Sequence, residues 1–185
     1  LQQFGGVSAT HLDWTMVPYV RKSFYKHWRD GMKYIKKVDP CCDTVDATNL
    51  SINDYGYLEF KQAYKYAIDM TEREAKQAVE GMYHNLNTLQ SRSGNQLPFS
   101  SINYGTCTLP EGRMVIKSLL EGSIKGVGEH HLTPIFPCGI FQCMKGINRK
   151  DGEPNYDLFK LALQSTSQRI YPNYVNVDWS VNEGY

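Results

Sequence analysis

From Phe99 onward the chain alternates short apolar runs with helical ones, and this alternation constrains the fold more than any other feature. Phe99–Tyr104 is bounded by Pro98 and Gly105 and reads as a strand. Thr108-Leu-Pro-Glu111 has the form of a capping box, with Pro110 in the first helical turn. The helix it opens buries Val115, Ile116, Leu119, Leu120 and Ile124, then stops at Gly126-Val-Gly128. Pro134–Met144 is apolar and reads as a strand that turns near Pro137 or Gly139. Pro154 starts a helix carrying Leu158, Phe159, Ala162 and Leu163, which ends near Tyr171-Pro172. Tyr174–Trp179 supplies a third strand. Strand–helix–strand–helix–strand implies parallel strands joined by right-handed crossovers. Parallel sheets require cover on both faces, so a sheet with three legible strands is expected to be part of a larger α/β barrel or sheet.

The first half reads as helical. Trp14, Val17, Val20, Phe24, Trp28, Met32 and Ile35 recur every three or four residues, which predicts one helix over Asp13–Lys37 with a buried stripe. Pro18 is tolerated only in a first turn, and Asp39-Pro40 ends the element. The stretch to Asp54 is a loop. Tyr57–Met70 resumes the helical spacing through Phe60, Tyr64, Ala67 and Ile68. Thr71-Glu-Arg-Glu74 reads as a capping box that opens a third helix, with Ala75, Val79, Met82, Leu86 and Leu89 inward. Ser91–Asn95 stops it.

A formal net charge of +1 removes any bulk electrostatic case for nucleic acid or a membrane surface, so an anion site must come from local clustering. No apolar run reaches the length of a membrane span. The first residues, Leu1 to Gly6, carry neither an initiator Met nor a signal pattern, as in a chain cut from a longer one or a processed protein. The five cysteines, Cys41, Cys42, Cys107, Cys138 and Cys143, are an odd number without CxxC spacing, which points to a reducing, cytoplasmic setting. Cys138 and Cys143 lack histidines at ligand spacing, and no metal site is expected.

Lys22, Lys26, Arg29, Lys33 and Lys36 fall at steps of three or four and are expected to share one helix side. The plain reading is a solvated face whose long stems cover apolar surface. The functional reading is a polyphosphate site, and an acidic protein partner is a third. Glu129-His-His131 reads as a solvent loop, since adjacent side chains diverge, and His11 with Asp13 as polar groups near a helix start. Gly126-Val-Gly128 follows a helix rather than a strand, so it is a stop and not a phosphate loop. Asn103, Tyr104 and Cys107 lie where parallel strands place ligands, or serve as structural polar groups.

The run Arg92-Ser-Gly-Asn-Gln-Leu-Pro-Phe-Ser-Ser-Ile-Asn-Tyr-Gly-Thr106 resembles the anaerobic ribonucleoside-triphosphate reductase family. Pro134-Ile-Phe-Pro-Cys-Gly-Ile-Phe141, Gly146-Ile-Asn-Arg-Lys150 and Pro154-Asn-Tyr-Asp157 continue the resemblance. Arg169-Ile-Tyr-Pro172 and Asn176-Val-Asp-Trp179 follow in order, and Gly5-Gly6 through Val17-Pro-Tyr-Val20 resembles the helix upstream. Essentially the whole chain is covered.

The resemblance implies an α/β fold: a helical N-terminal half followed by βαβαβ, part of a ten-stranded α/β barrel of the glycyl-radical reductase type. It divides the chain into residues 1–97, helical and facing dimer partner and effector, and residues 98–185, the first part of the barrel, the two expected to form one structural unit. The implied reaction converts ribonucleoside triphosphates to deoxynucleotides for DNA synthesis, commonly with formate as reductant. A glycyl radical installed by an iron–sulfur activase using S-adenosylmethionine passes its spin to a cysteine, whose thiyl radical abstracts the 3′ hydrogen. The Met-Gly-Cys-Arg motif of that cysteine, the radical glycine, the second catalytic cysteine region, the ATP-binding regulatory module and a zinc-binding C-terminal region have no counterpart in these residues. No catalytic residue, cofactor or metal is therefore expected in this segment, and the isolated chain is expected to be inactive. What the resemblance does carry over is an effector site at a helical homodimer interface: Lys26 matches a phosphate-contacting lysine, Phe99 an effector-facing aromatic, and Lys22 lies on the same face as Lys26. Substrate, dNTP or ATP effectors and the activase are the implied partners, with no nucleic acid and no membrane. The alternative is a non-catalytic nucleotide-binding or dimerisation module.

Overall fold

The computed structural model describes residues 6–37, 48–55, 60–88 and 97–179. The expected features at Asp39-Pro40, Cys41, Cys42, Tyr57, Leu89 and Ser91–Asn95 lie outside the described residues. Four parallel strands form one sheet in chain order: β1 (Gly6–Ala9), β2 (Phe99–Tyr104), β3 (Cys138–Cys143) and β4 (Asn173–Asn176). The helical half thus contributes a strand that the sequence reading lacks. Gly6-Val-Ser-Ala9 is too short and too polar to show a two-residue period, and it is placed by pairing Gly6 with Phe99 and Ala9 with Ile102.

Between the strands run α1 (Leu12–Thr15), α2 (Val17–Gly31), α3 (Lys61–Thr88), α4 (Pro110–Lys125) and α5 (Tyr156–Gln168). A strand order that follows chain order lets every crossover fall on one side. The strands show this directly. Ser100, Ile102 and Tyr104 of β2 are buried, while Phe99 is exposed and Ser101 and Asn103 are half-buried. Phe141 of β3 meets Tyr104, Phe159 and Tyr174 at ring separations of 6.0, 6.0 and 6.1 Å. Around it the core joins Phe24 of α2, Ala67 and Val79 of α3, Ile116, Leu119 and Leu120 of α4, and Leu158 and Ala162 of α5.

The single first helix expected over Asp13–Lys37 is broken twice. Met16 separates α1 from α2, which puts Pro18 in the first turn of α2, where its missing N–H costs no bond. From Met32 to Lys36 the spiral widens into a π turn. Val17, Val20, Phe24 and Met32 are buried as expected, but Trp14 and Ile35, beyond the ends of α2, are exposed. Where α2 crosses α3, Gly31 lets the backbones close in: a Cβ there would lie 3.1 Å from Ala63 Cα.

Both expected capping boxes are overturned. Residues 61–88 form one continuous α3, and Thr71 is a buried interior residue whose hydroxyl donates to the Ala67 carbonyl at 2.7 Å. At α4 the N-cap is Leu109, in extended backbone and without a side-chain cap. Glu111 instead turns into the core, where it accepts from Arg21 Nε at 3.0 Å and from the Ile52 amide at 2.9 Å. Arg21 also donates to the Thr48 carbonyl at 2.8 Å, so this buried pair fixes the turn at Ile52–Tyr55 onto α2 and α4. The expected stop at Gly126 is present, with φ +78°.

Candidate functional site

Lys22, Lys26 and Arg29 of α2 share one side, because residues three and four apart are neighbours on a helix, while Arg21 turns inward to Glu111. Lys22 and Lys26 are exposed, and Arg29 is half-buried, its guanidinium 5.9 Å from the Tyr25 ring centre. The π turn ends this register, so the expected five-residue line does not carry through Lys33 and Lys36. Lys33 lies 5.5 Å from the Tyr34 ring centre instead.

One carboxylate of α3 faces this surface. Glu74 Oε1 accepts from Lys26 Nζ at 3.3 Å. Its Oε2 accepts from the Ser23 hydroxyl and lies 2.9 Å from His27 Nε2. The Ser23 bond, then those of His27 and Lys26, holds the Glu74 carboxyl down at about 2, against the opposing effect of partial burial. Glu74 therefore stays ionised at every physiological pH. Ser23, His27 and Glu74 do not make a nucleophilic triad: serine and histidine bond the same carboxylate oxygen, so the Ser23 hydroxyl points at Glu74 and not at the His27 imidazole. Beside this cluster an apolar groove of about 400 Å³ runs between α2, α3 and α4, lined by Met16, Tyr19, Val79, Met82 and Leu119, with Ser23 and Glu74 also on its wall.

Phe99 lies elsewhere. It begins β2 on the sheet face turned away from the helices, 60% exposed, with its ring edge-on to Phe136 at 5.4 Å. Among the described residues no contact joins it to Lys22 or Lys26. Within one chain the three expected effector residues form a pair on α2 and a separate aromatic.

A second polar centre, which local reading misses, stands at the carboxyl end of β2. Asp13 is fully buried and accepts the amides of Gly105 at 3.0 Å and Cys107 at 2.9 Å. Asn148 donates to the carbonyls of Gly105 and Gln142, and Asn155 to those of Gly105 and Cys107. Arg113 in turn holds Asn155 Oδ1 at 2.7 Å and Asp157 at 2.7 Å. Gly105 adopts φ +129°, which a side chain would strain, so the chain can turn sharply here. His11 is the N-cap residue of α1 but its side chain makes no cap bond, and Asp13 serves the loop after β2 rather than a dyad with His11.

These hydrogen bonds hold the loop that follows β2. Burial pushes the Cys107 thiol up to about 11 and raises that of Cys143, so neither is a thiolate at neutral pH. Cys138 Sγ sits 3.1 Å from the Tyr171 hydroxyl, and that hydrogen bond, with burial, pushes Tyr171 up to about 12. Tyr104 is core. Asn103 faces the open side of the sheet, its Oδ1 without a hydrogen-bond partner among the described residues. Glu129, His130 and His131 are exposed in a turn closed by the Val127–Leu132 bridge. Among the described residues no three His, Cys, Asp or Glu side chains converge as metal ligands. No described helix is long and apolar enough to cross a membrane.

The family model described as anaerobic ribonucleoside-triphosphate reductase matches residues 1–185. Curated proteins of that name are similar throughout: the one from Enterobacteria phage T4 is 33% identical over 94% of this chain. Those from Escherichia coli K12 and Haemophilus influenzae are each 30% identical over 95% of it. The matched part is 25% of the phage protein and 21% of each bacterial one, so the chain spans a fifth to a quarter of these relatives.

Proposed function

The chain belongs to the anaerobic ribonucleoside-triphosphate reductase family, and from that premise we propose that it is the effector-facing part of such a reductase together with the first strands of its barrel. The whole enzyme reduces ribonucleoside triphosphates to deoxynucleotides in the cytoplasm. A glycyl radical made by an S-adenosylmethionine-dependent iron–sulfur activase supplies the radical chemistry when present. No step of that chemistry is assigned to residues here, because the Met-Gly-Cys-Arg motif of the radical cysteine and the radical glycine have no counterpart among them.

The role of this segment is to bind the triphosphate of a dNTP or ATP effector on α2, through Lys26 with Lys22 beside it. The observation that carries this reading is the Lys22–Lys26 face. Lys26 is solvent-accessible, its side chain 61% exposed, and its recorded partner is a carboxylate that is itself 46% exposed. Such a pair exchanges readily for a more highly charged anion. Phe99, on a different face of the same chain, completes the site from a second copy, in a homodimer built on α2 and α3. The exposed apolar groove between those helices favours this arrangement.

In the full-length reductase, Lys26→Ala should raise the effector concentration giving half-maximal change in substrate preference by about tenfold, the loss of one charge-assisted phosphate contact. Activity without effector should remain. An unchanged effector response would refute the assignment.

A further inference from the structure

Three donors spaced three and four residues apart on α2, Ser23 with Lys26 and His27, converge on the single carboxylate of Glu74 in α3. The two oxygens are not equivalent. Oε2 is fixed by Ser23 and by His27, which is 7% exposed, whereas Oε1 holds Lys26 at 3.3 Å near the surface. Lys26 can therefore leave on its flexible stem while Ser23 and His27 continue to tie α2 to α3.

We propose that Glu74 is a built-in competitor for the effector triphosphate, so that a bound phosphate takes Lys26 from Glu74 and the strength of that pair sets the effector threshold. This rests on the reading of Lys26 as the phosphate contact. Two effects act in the same direction. The ammonium must break one ion pair to make another, and the ionised carboxylate left behind repels the arriving phosphate. A triphosphate overcomes both, because it carries more charge than a carboxylate and draws on Lys22 one turn away. A neutral side chain at position 74 removes both opposing effects. Glutamine keeps an oxygen for Ser23 and His27, so the helix pair survives the change.

The test is calorimetric titration of dTTP into the full-length protein and its Glu74→Gln, Lys26→Ala and doubly substituted variants, with thermal midpoints as a folding check. Lys26→Ala should weaken binding about tenfold, and Glu74→Gln should tighten it about two- to tenfold. In the Lys26→Ala background, Glu74→Gln should tighten binding by a clearly smaller factor, since only the repulsion is then removed. If Lys26→Ala leaves affinity unchanged, the effector reading itself falls, and this inference with it. If Lys26→Ala weakens binding but Glu74→Gln does not tighten it, only the competitor role is overturned. Equal tightening with and without Lys26 would overturn it as well, since Glu74 would then act as a general negative charge. Should Glu74→Gln lower the thermal midpoint, Glu74→Asp, which keeps the repulsion but shortens the reach to Lys26, should tighten binding by a smaller factor, and no tightening would overturn the competitor role.

Discussion

Asp13 is fully buried, and its carboxylate accepts amides from Gly105 and Cys107, which lie 92 and 94 residues away in the chain. Replacing it with Ala strands both N–H groups in the interior at about 1–3 kcal/mol each. Asp13→Ala should therefore lower the stability of the chain by about 2–5 kcal/mol in urea unfolding, and Asp13→Asn by less, since its amide oxygen still accepts. A midpoint unmoved by Asp13→Ala would show that water or a rearranged loop satisfies those amides. Asp13 illustrates what stays hidden at this scale. Asp13, Glu74 and Glu111 each sit in a local pattern that suggests a helix cap, yet their partners are 92, 47 and 90 residues distant. Capping rules read only the nearest backbone, and burial against another element overrides them. Lys22 and Lys26 were legible as exposed residues because they keep the periodicity of α2, whereas Lys33 and Lys36 fall in the π turn.

Among the elements, α3 is where local reading and tertiary packing part most clearly. Thr71 and Glu74 have the spacing of a helix start, but residues on both sides pack on the same neighbours: Ala67 and Val79 are both core. Continuing the helix keeps both halves against α2 and α4, whereas a break would expose amides beside the buried Thr71. The amides of Glu72, Arg73 and Glu74 should thus exchange with deuterium as slowly as those of the adjoining turns. Fast exchange confined to these three would restore the two-helix reading. Strands β2, β3 and β4 were legible because each is bracketed by Pro or Gly and carries apolar residues. Four-residue β1 was not, because its strand identity comes from pairing with Phe99–Ile102.

At the scale of the whole molecule, a parallel sheet is covered by helices on one side, while Phe99, Ser101 and Asn103 on the other remain at least partly exposed. Parallel sheets bury both faces in complete proteins, and the chain accounts for only 21–25% of its relatives' length. The parallel arrangement of β2, β3 and β4 was legible from the alternation of elements, and closure of the sheet into a barrel is a proposal. Family membership was legible too, in ordered motifs that fall on β2, β3 and the loops after them. The division of labour between Lys26 and Glu74 was not, because it arises only when α2 and α3 pack. The most direct test of the central claim is an experimental structure of the full-length protein with dTTP bound. The triphosphate should lie within hydrogen-bond distance of Lys26 Nζ, with Glu74 released from Lys26 but still joined to Ser23 and His27. A triphosphate bound away from α2, with the Lys26–Glu74 pair intact, would contradict it.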